Sequence, residues 1–182
     1  YYRVRYTNTR MYLLNFERTM EEIFRGENDS ISGNDILLGI RSKDVEYQTN
    51  ESGKVVAFVQ EGELWSYNQE ANTLAKVFSF RGYEGVDDRE NYGEHDIKIV
   101  NIDEAGSIDY IVYGYMNRGI HEGTVGIAVY HYDSLANTNE EQVFIPSSQS
   151  YEVMKSELGQ LMYVTESGAF YIMVDGNVYG ID

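Results

Sequence analysis

Three stretches of this sequence share one pattern, in which an apolar and aromatic run is followed by a polar turn and a second apolar run. They run from Met11 to Phe24, from Leu64 to Phe78 and from Ala128 to Phe144. The turns close on Thr19, Thr73 and Thr138, and the final phenylalanines lie 54 and then 66 residues apart. Internal repeats of this length predict an array of small β-sheets.

A second internal match supports the first. The segment Tyr47–Asn68 aligns with Tyr163–Asp182 across a shared Glu-Ser-Gly turn. Apolar residues alternate with others over short runs, which is typical of strands, and Asp175-Gly176 is a hairpin signal. The pattern predicts strands over Val55–Val59, Leu64–Tyr67, Ile97–Val100, Ile108–Tyr115, Val125–Tyr132 and Phe170–Val174.

The predicted fold class is all-β, as an array of antiparallel four-stranded meander sheets. Seventeen tyrosines, seventeen glycines and one proline fit twisted sheets joined by tight turns. One segment competes, because Met11–Glu27 also places apolar side chains at helical spacing. Its match to two strand-turn-strand copies favours strands there, since a repeat keeps its architecture.

We expect a single β-repeat domain over residues 1–182. It would contain an incomplete unit at 1–25, full units at about 35–80 and 96–146, and an incomplete unit at about 152–182. The last unit lacks a fourth strand, which predicts an array cut in mid-unit or one closed by a strand from the amino terminus. A first residue other than methionine indicates a fragment of a longer protein.

The segment Ala57–Trp65, which reads AFVQEGELW, resembles a hairpin of many extracellular and periplasmic β-propellers. Four-stranded units of this length also resemble propeller blades. The resemblance extends over nearly the whole chain and implies a partial or small β-propeller. Because propellers serve unrelated functions, it implies a fold and not an activity.

The charge of the chain bears on its partners. Thirty acidic and fourteen basic residues give a net charge of −16 at pH 7. This charge repels phosphate backbones and anionic bilayers, so nucleic acid and membrane surfaces are poor partners. No stretch reaches the roughly 18 to 20 apolar residues of a membrane span. The absence of cysteine excludes disulfides and thiolate metal sites, and fits an extracellular or cell-envelope protein.

The segment Asn101–Gly114 resembles an FG-GAP propeller repeat, a calcium-binding hairpin with oxygen ligands at its first, third, fifth and ninth positions. Asn101, Asp103 and Asp109 match three of these positions, and Gly106 matches the glycine at the sixth. The resemblance implies Ca²⁺ as a cofactor. However, Ala105 at the fifth position has no side-chain oxygen, and calcium takes about six to eight oxygens. The alternative is a tight hairpin in which both aspartates accept backbone N–H groups.

Two long loops, Arg81–His95 and Asn117–Thr124, meet at one end of a sheet if Ile97–Asn101 and Ile108–Met116 pair as a hairpin. Long loops on a rigid sheet often carry binding residues. The residues that would be brought together are Tyr83, Asp87, Asp88, Tyr92, His95, Arg118, His121 and Glu122. Three interpretations are open: a surface for a protein or glycan partner, a metal or acid-base site at the two histidines, and a merely solvated surface.

The sequence contains no nucleophile motif, no phosphate-binding glycine loop and no histidine-glutamate zinc helix. In the repeat, Trp65 occupies the place of Leu13, Val129 or Val178 in the other copies, which predicts a core position. We therefore expect a noncatalytic binding or scaffolding module of an exported or cell-surface bacterial protein. The alternatives are part of a propeller enzyme acting on polysaccharide and a calcium-stabilised adhesion-like propeller. Unpaired sheet edges also permit an edge-strand dimer.

Overall fold

The protein is described by a computed structural model that covers residues 1–18, 20, 22, 24–27, 30–33, 35–39, 44–82, 87–165 and 169–181. The side chains of residues 159–161 also lie outside this description. The chain divides into two compact units, Tyr1–Lys43 and Asp44–Asp182. Both contain antiparallel strands, and the described part of the second unit also contains one helix. The all-β prediction is confirmed.

The first unit contains two separate hairpins. β1 (Tyr2–Tyr6) pairs with β2 (Met11–Phe16), and β3 (Ile31–Ser32) pairs with β4 (Asp35–Ile36). The strand predicted at the start of the first copy is confirmed, and the helical alternative is wrong there.

The second strand predicted for that copy is wrong. Met20, Glu22 and residues 24–27 have no regular secondary structure, and Thr19 and Ile23 lie outside the described residues. The physical reason is that β2 forms its hairpin with β1, the strand that precedes it, rather than with the segment that follows it.

The second unit contains three antiparallel meander sheets in chain order. The first sheet consists of β5 (Tyr47–Thr49), β6 (Val55–Gln60), β7 (Glu63–Asn68) and β8 (Thr73–Phe78). The second consists of β9 (His95–Ile102), β10 (Ile108–Tyr115), β11 (Val125–Asp133) and β12 (Thr138–Pro146). The third consists of β13 (Met162–Val164), β14 (Phe170–Val174) and β15 (Asn177–Ile181). All six strand runs predicted from alternation are present.

In both four-stranded sheets, the turn between the third and fourth strands has the same geometry. The hydroxyls of Tyr67 and Tyr132 donate hydrogen bonds to Oδ1 of Asn72 and Asn137, at 3.1 and 2.9 Å. Both asparagines have positive φ angles, 49° and 54°, a conformation that asparagine tolerates better than most residues. The repeated Tyr and Asn-Thr in the sequence therefore reflect one turn geometry used twice.

Beyond this turn, both sheets have a β-bulge at the same position. The strand pairing around it corrects the alignment of the two copies. The register shifts between Leu64 and Trp65 in the first sheet, and between Val129 and Tyr130 in the second. Leu64 is therefore the counterpart of Val129, an offset of 65 residues (129 − 64), and the predicted match of Trp65 with Val129 is wrong by one residue. Because side chains alternate between the two faces of a sheet, a shift of one residue in the alignment changes which neighbouring sheet a side chain contacts.

The second sheet is buried on both faces. One face packs against the first sheet, and the other packs against the third sheet and the helix. The first contact includes Ala57, Leu64 and Val77 on one side and Ile99, Tyr110, Val112 and Ala128 on the other. The second includes Ile111, Ile127, Val129 and Ile145 against Phe170, Ile172 and Val174. Trp65 is 6% exposed, which confirms its predicted core position.

A helix that sequence analysis did not predict links the second and third sheets. α1 spans Tyr151–Leu161 and places Tyr151, Met154 and Leu158 in the core between these sheets. Their spacing of three and then four residues is a helical period. The third sheet therefore begins only at Met162, although the unit predicted there starts at about residue 152.

Two side chains one helical turn apart anchor α1 to β9. The Tyr151 hydroxyl donates to Asp96 at 2.8 Å, and Nζ of Lys155 lies 2.7 Å from the same carboxylate. Burial raises the pKa of Tyr151 to about 12, so the hydroxyl remains a neutral donor at physiological pH. Gly114 permits this approach, because it has a φ of +112° and a Cβ there would lie 2.9 Å from the Tyr151 ring.

We predict that Gly62→Ala destabilises the protein more than Gly176→Ala. Both glycines lie in two-residue hairpin turns with positive φ, +72° and +79°, so each alanine costs about 1–2 kcal/mol in backbone strain. A Cβ at Gly62 would in addition lie 2.5 Å from Nε2 of His95, whereas nothing lies within 4 Å at Gly176. Urea unfolding of the two variants measures the difference. Equal losses would contradict the close contact between the β6–β7 turn and His95.

Candidate functional site

The two loops predicted to meet do lie at the same end of the second sheet. β10 pairs antiparallel with β9, and Gly114 is opposite His95. The first loop therefore ends where the second begins. Tyr83, one of the predicted site residues, lies outside the described residues.

Arg118 is at the centre of a charge network that joins the two loops. Its Nη2 contacts Asp87 and lies 3.4 Å from Glu90, and its Nη1 lies 3.7 Å from Glu122. Arg89 binds two of the same acids, with distances of 2.9 Å to Asp87 and 2.9 Å to Glu122. Two arginines and three carboxylates thus connect the loops.

Hydrogen bonds also hold these loops in place. Those from the Arg89 side chain and backbone to Asp87, assisted by the charge of Arg118, hold the pKa of Asp87 well below its usual range. Asn117 is buried, and its amide donates to the carbonyl oxygens of Glu90 and Tyr92 at 3.2 and 2.8 Å. Asp87 therefore keeps its charge at physiological pH, and Asn117 binds one loop to the backbone of the other.

Tyr92 and Ile120 present apolar surface beside this network. Tyr92 is 48% exposed, although its ring packs edge-on against Tyr115 with the ring centroids 5.0 Å apart. Ile120 is 87% exposed in a loop closed by backbone hydrogen bonds from Glu122 to Gly119 and from Gly123 to Met116. The loop is therefore ordered without burying Ile120. The nearby Asp88 is also exposed.

His95 has the surroundings of a core histidine. Its Nδ1 lies 3.1 Å from the carbonyl oxygen of Tyr92, which requires the proton on that nitrogen, and its ring packs edge-on against Phe80 at 4.9 Å. Burial lowers the pKa of His95, so the imidazole is neutral at pH 7.

His121 has different partners from His95. Its Nε2 lies 2.8 Å from Glu141, and its ring stacks on Phe144 with centroids 3.7 Å apart. The Tyr130 hydroxyl donates to the other oxygen of Glu141 at 2.9 Å. The two histidines thus bind separate groups, rather than the shared acids that a histidine-pair metal site would use.

Sequence analysis missed four residues of this neighbourhood: Arg89, Glu90, Asn117 and Glu141. The first three lie inside the predicted loops, and two arginines among acids in a chain of charge −16 were a usable signal. Glu141 lies on β12 and reaches His121 because β12 pairs with β11, where Glu141 is opposite Tyr130. No motif in the loop sequences predicts the contact between His121 and Glu141.

The segment that resembles an FG-GAP repeat forms the tight turn between β9 and β10. Oδ1 of Asp103 accepts the N–H of Ser107 at 2.8 Å, and the Asp103 carbonyl oxygen accepts the N–H of Gly106 at 3.1 Å. Asp109 lies on β10 and contacts Nδ1 of His131 at 2.7 Å. Asp103 therefore has the partners of a plain hairpin, whereas Asp109 binds a histidine on the next strand.

In this turn, the side-chain oxygens of Asp103 and Asp109 have protein partners. Asn101 is opposite Asp109 in the β9–β10 pairing, and the carbonyl oxygen of Ala105 accepts the Ser134 hydroxyl at 2.7 Å. Across the described ranges, no group of three or more histidine, aspartate or glutamate side chains is placed to hold a metal ion. Calcium binding by Asn101, Asp103 and Asp109 stays a prediction.

We predict that His95 makes stability depend on pH. Because burial lowers its folded pKa below the ordinary 6.5, the unfolded chain binds a proton below about pH 6.5 while the folded protein resists protonation. The free energy of unfolding therefore falls as the pH drops from 6.5 toward the lowered folded pKa. His95→Gln should flatten this part of the curve, measured by urea unfolding between about pH 5 and 7.

The reference for this measurement is the wild type over the same pH range. An unchanged slope in His95→Gln would contradict the assignment of the effect to His95.

We also predict that replacing EDTA with millimolar calcium leaves the Tm unchanged. Asp103 and Asp109 already have protein partners, and a ligand that binds the folded state would raise the Tm. Differential scanning calorimetry of the wild type and Asp103→Ala makes the measurement. A calcium-dependent rise that Asp103→Ala abolishes would instead establish a cation site at this turn.

Comparisons with protein-family models, with curated protein sequences and with solved structures found no match. None of the helical structure within the described residues is long and apolar enough to cross a membrane. The function is therefore inferred from the geometry of the loops and sheets.

Proposed function

We propose that this chain is a noncatalytic binding module with a propeller-type array of sheets, in an exported or cell-surface bacterial protein. The observation that carries the proposal is the locked pair of loops that leaves Ile120 and Tyr92 exposed. A surface ordered in advance loses little conformational entropy on binding. Exposed aromatic and aliphatic side chains on such a surface favour a protein partner.

The stacking of the sheets supports a propeller-type array. The first sheet turns Leu64 toward the second, and the second turns Val129, the counterpart of Leu64, toward the third. Each sheet thus presents the same face to the next one along the chain. Blades arranged around an axis stack in this way, whereas the two sheets of a symmetric sandwich present equivalent faces to each other.

The electrostatics of the loops support binding rather than acid-base chemistry. A general base works best with a pKa near the operating pH, whereas the pKa of Asp87 is far below it. The guanidinium groups of Arg89 and Arg118 both contact carboxylates. These groups rigidify the surface that carries the exposed side chains.

An extracellular or cell-envelope location is part of the same proposal. The chain has no cysteine, so its stability does not depend on a reducing compartment. Its charge of −16 opposes nonspecific attachment to nucleic acid and anionic lipid, which leaves proteins and glycans as partners.

The binding test replaces Ile120 of the full chain with the photo-crosslinking amino acid p-benzoylphenylalanine. The protein is then incubated with cells of its source organism and irradiated. We expect a discrete protein adduct that Arg118→Gln weakens, because that change releases the loop from Asp87 and Glu90. The control carries the same amino acid at Leu135, which is 88% exposed. Equal adducts at both positions, or none at Ile120, would overturn the protein partner, and a carbohydrate adduct would replace it with a glycan.

The enzyme alternative is tested by turnover. The chain is incubated with a panel of soluble α- and β-linked polysaccharides, and newly formed reducing ends are assayed. We expect no release above a heat-denatured control. Release that Glu90→Gln or Glu122→Gln abolishes would overturn the noncatalytic assignment.

A further inference from the structure

The β1–β2 hairpin has an apolar face exposed to solvent. Alternation puts Tyr2, Val4 and Tyr6 on this face, and the strand pairing puts Leu13 opposite Val4 and Met11 opposite Tyr6. Phe16 completes it, with its ring centroid 4.9 Å from that of Tyr2. These six side chains, which we call the hairpin face, are 48% to 75% exposed. A two-stranded hairpin is only marginally stable in water, and an antiparallel sheet normally covers its apolar face.

The third sheet has one buried face and one exposed apolar face. Along β14, Phe170, Ile172 and Val174 are buried, whereas Tyr171 and Met173 are exposed. The strand pairing places Tyr163 beside Tyr171 and Val178 beside Met173, and both added side chains are 69% exposed. We call Tyr163, Tyr171, Met173 and Val178 the free face.

The repeat identifies the free face as a stacking surface. The first and third sheets each have a two-residue turn ending in glycine between corresponding strands, so the pair Met173 and Val178 corresponds to Val59 and Leu64. In the first sheet, Val59 and Leu64 pack against the second sheet. The free face therefore has the position that the next sheet covers elsewhere in the molecule.

We propose that the free face of one copy of this chain binds the hairpin face of a second copy. Both surfaces are apolar, both belong to antiparallel sheets, and both are exposed to solvent. The hairpin would take the place of the next sheet. This contact does not involve the loop surface around Arg118, so it stands or falls independently of the protein partner proposed above.

Charge complementarity selects this pairing over contacts between two identical surfaces. The hairpin segment, residues 1–18, is basic, with Arg3, Arg5, Arg10 and Arg18 against Glu17 alone, in a chain of net charge −16. Residues 1–18 thus carry a charge of +3 (4 − 1), and residues 19–182 carry −19 (−16 − 3). Opposite charges favour the hairpin of one copy against the remainder of another copy, and like charges oppose hairpin against hairpin.

The proposed contact is head to tail. Each copy that uses its free face still has its hairpin face available, so further copies can add until a ring closes. A dimer formed through two hairpins, or through two sheet edges, would stop at two copies. A mass above that of a dimer therefore excludes these two arrangements.

The test is sedimentation velocity of the full chain across the micromolar range. We expect the weight-average mass of the wild type to rise with concentration past that of a dimer. Leu13→Glu removes the hairpin face and Val178→Glu removes the free face, and each variant alone should remain monomeric. Leu135→Glu, at a position 88% exposed in the β11–β12 turn, is the matched control and should associate like the wild type.

Mixing the two disruptive variants gives the decisive result. Val178→Glu retains a hairpin face and Leu13→Glu retains a free face, so an equimolar mixture should form a heterodimer that cannot grow further. High salt should weaken this heterodimer, because part of the attraction is between charges. Circular dichroism of each variant confirms that the substitutions at these exposed positions leave the fold intact.

Several results would overturn the proposal. A wild type that remains monomeric, including one in which the hairpin of the same chain covers the free face, contradicts the second copy. Association that survives Val178→Glu assigns the contact to hairpins or sheet edges instead. Failure of the two variants to complement each other, or an equal loss with Leu135→Glu, also excludes the head-to-tail contact.

Discussion

The alternation of side chains along a β-strand is the constraint on which the second unit depends. The second sheet is apolar on both faces, so it is stable only with a neighbour on each side. Its central strand β10 is almost entirely buried for this reason. The β-bulges at Leu64-Trp65 and Val129-Tyr130 keep the alternation in the same phase in two successive sheets. Corresponding side chains can therefore meet the next sheet in both cases.

The loop surface depends on this stacking. His95 is the first residue of β9, and it lies between the β6–β7 turn of the first sheet and the loop that carries Tyr92. The same histidine thus belongs to the sheet contact and supports the loop that presents the candidate binding residues. Asn117 and Arg118 then hold the second loop against the first. A small shift between the first two sheets would therefore displace the surface that exposes Ile120.

The sequence predicts the strands of this protein better than it predicts their surroundings. Alternation and turns such as Glu61-Gly62 and Asp175-Gly176 are local signals, so the strands they join follow from short segments. The predicted phase of the repeat is wrong by one residue, because it matches Phe78 with Phe144, whereas the strand pairings make Phe78 the counterpart of Val143. α1 was missed because the strand repeat was extended across Tyr151, Met154 and Leu158. The Glu141 partner of His121 depends on a cross-strand pairing that the loop sequences do not contain.

Electrostatic self-repulsion decides whether stacking can continue between molecules. A chain with a net charge of −16 repels its own copies, so apolar surface alone is a poor basis for association at low salt. The basic hairpin segment locally reverses that repulsion, and its Arg3 and Arg5 alternate with the apolar residues of β1 and lie on the opposite face of the hairpin. Attraction between copies is thereby concentrated at the hairpin segment, while the remaining acidic surface keeps other approaches unfavourable. The charge pattern therefore restricts which surfaces of two copies can pack against each other.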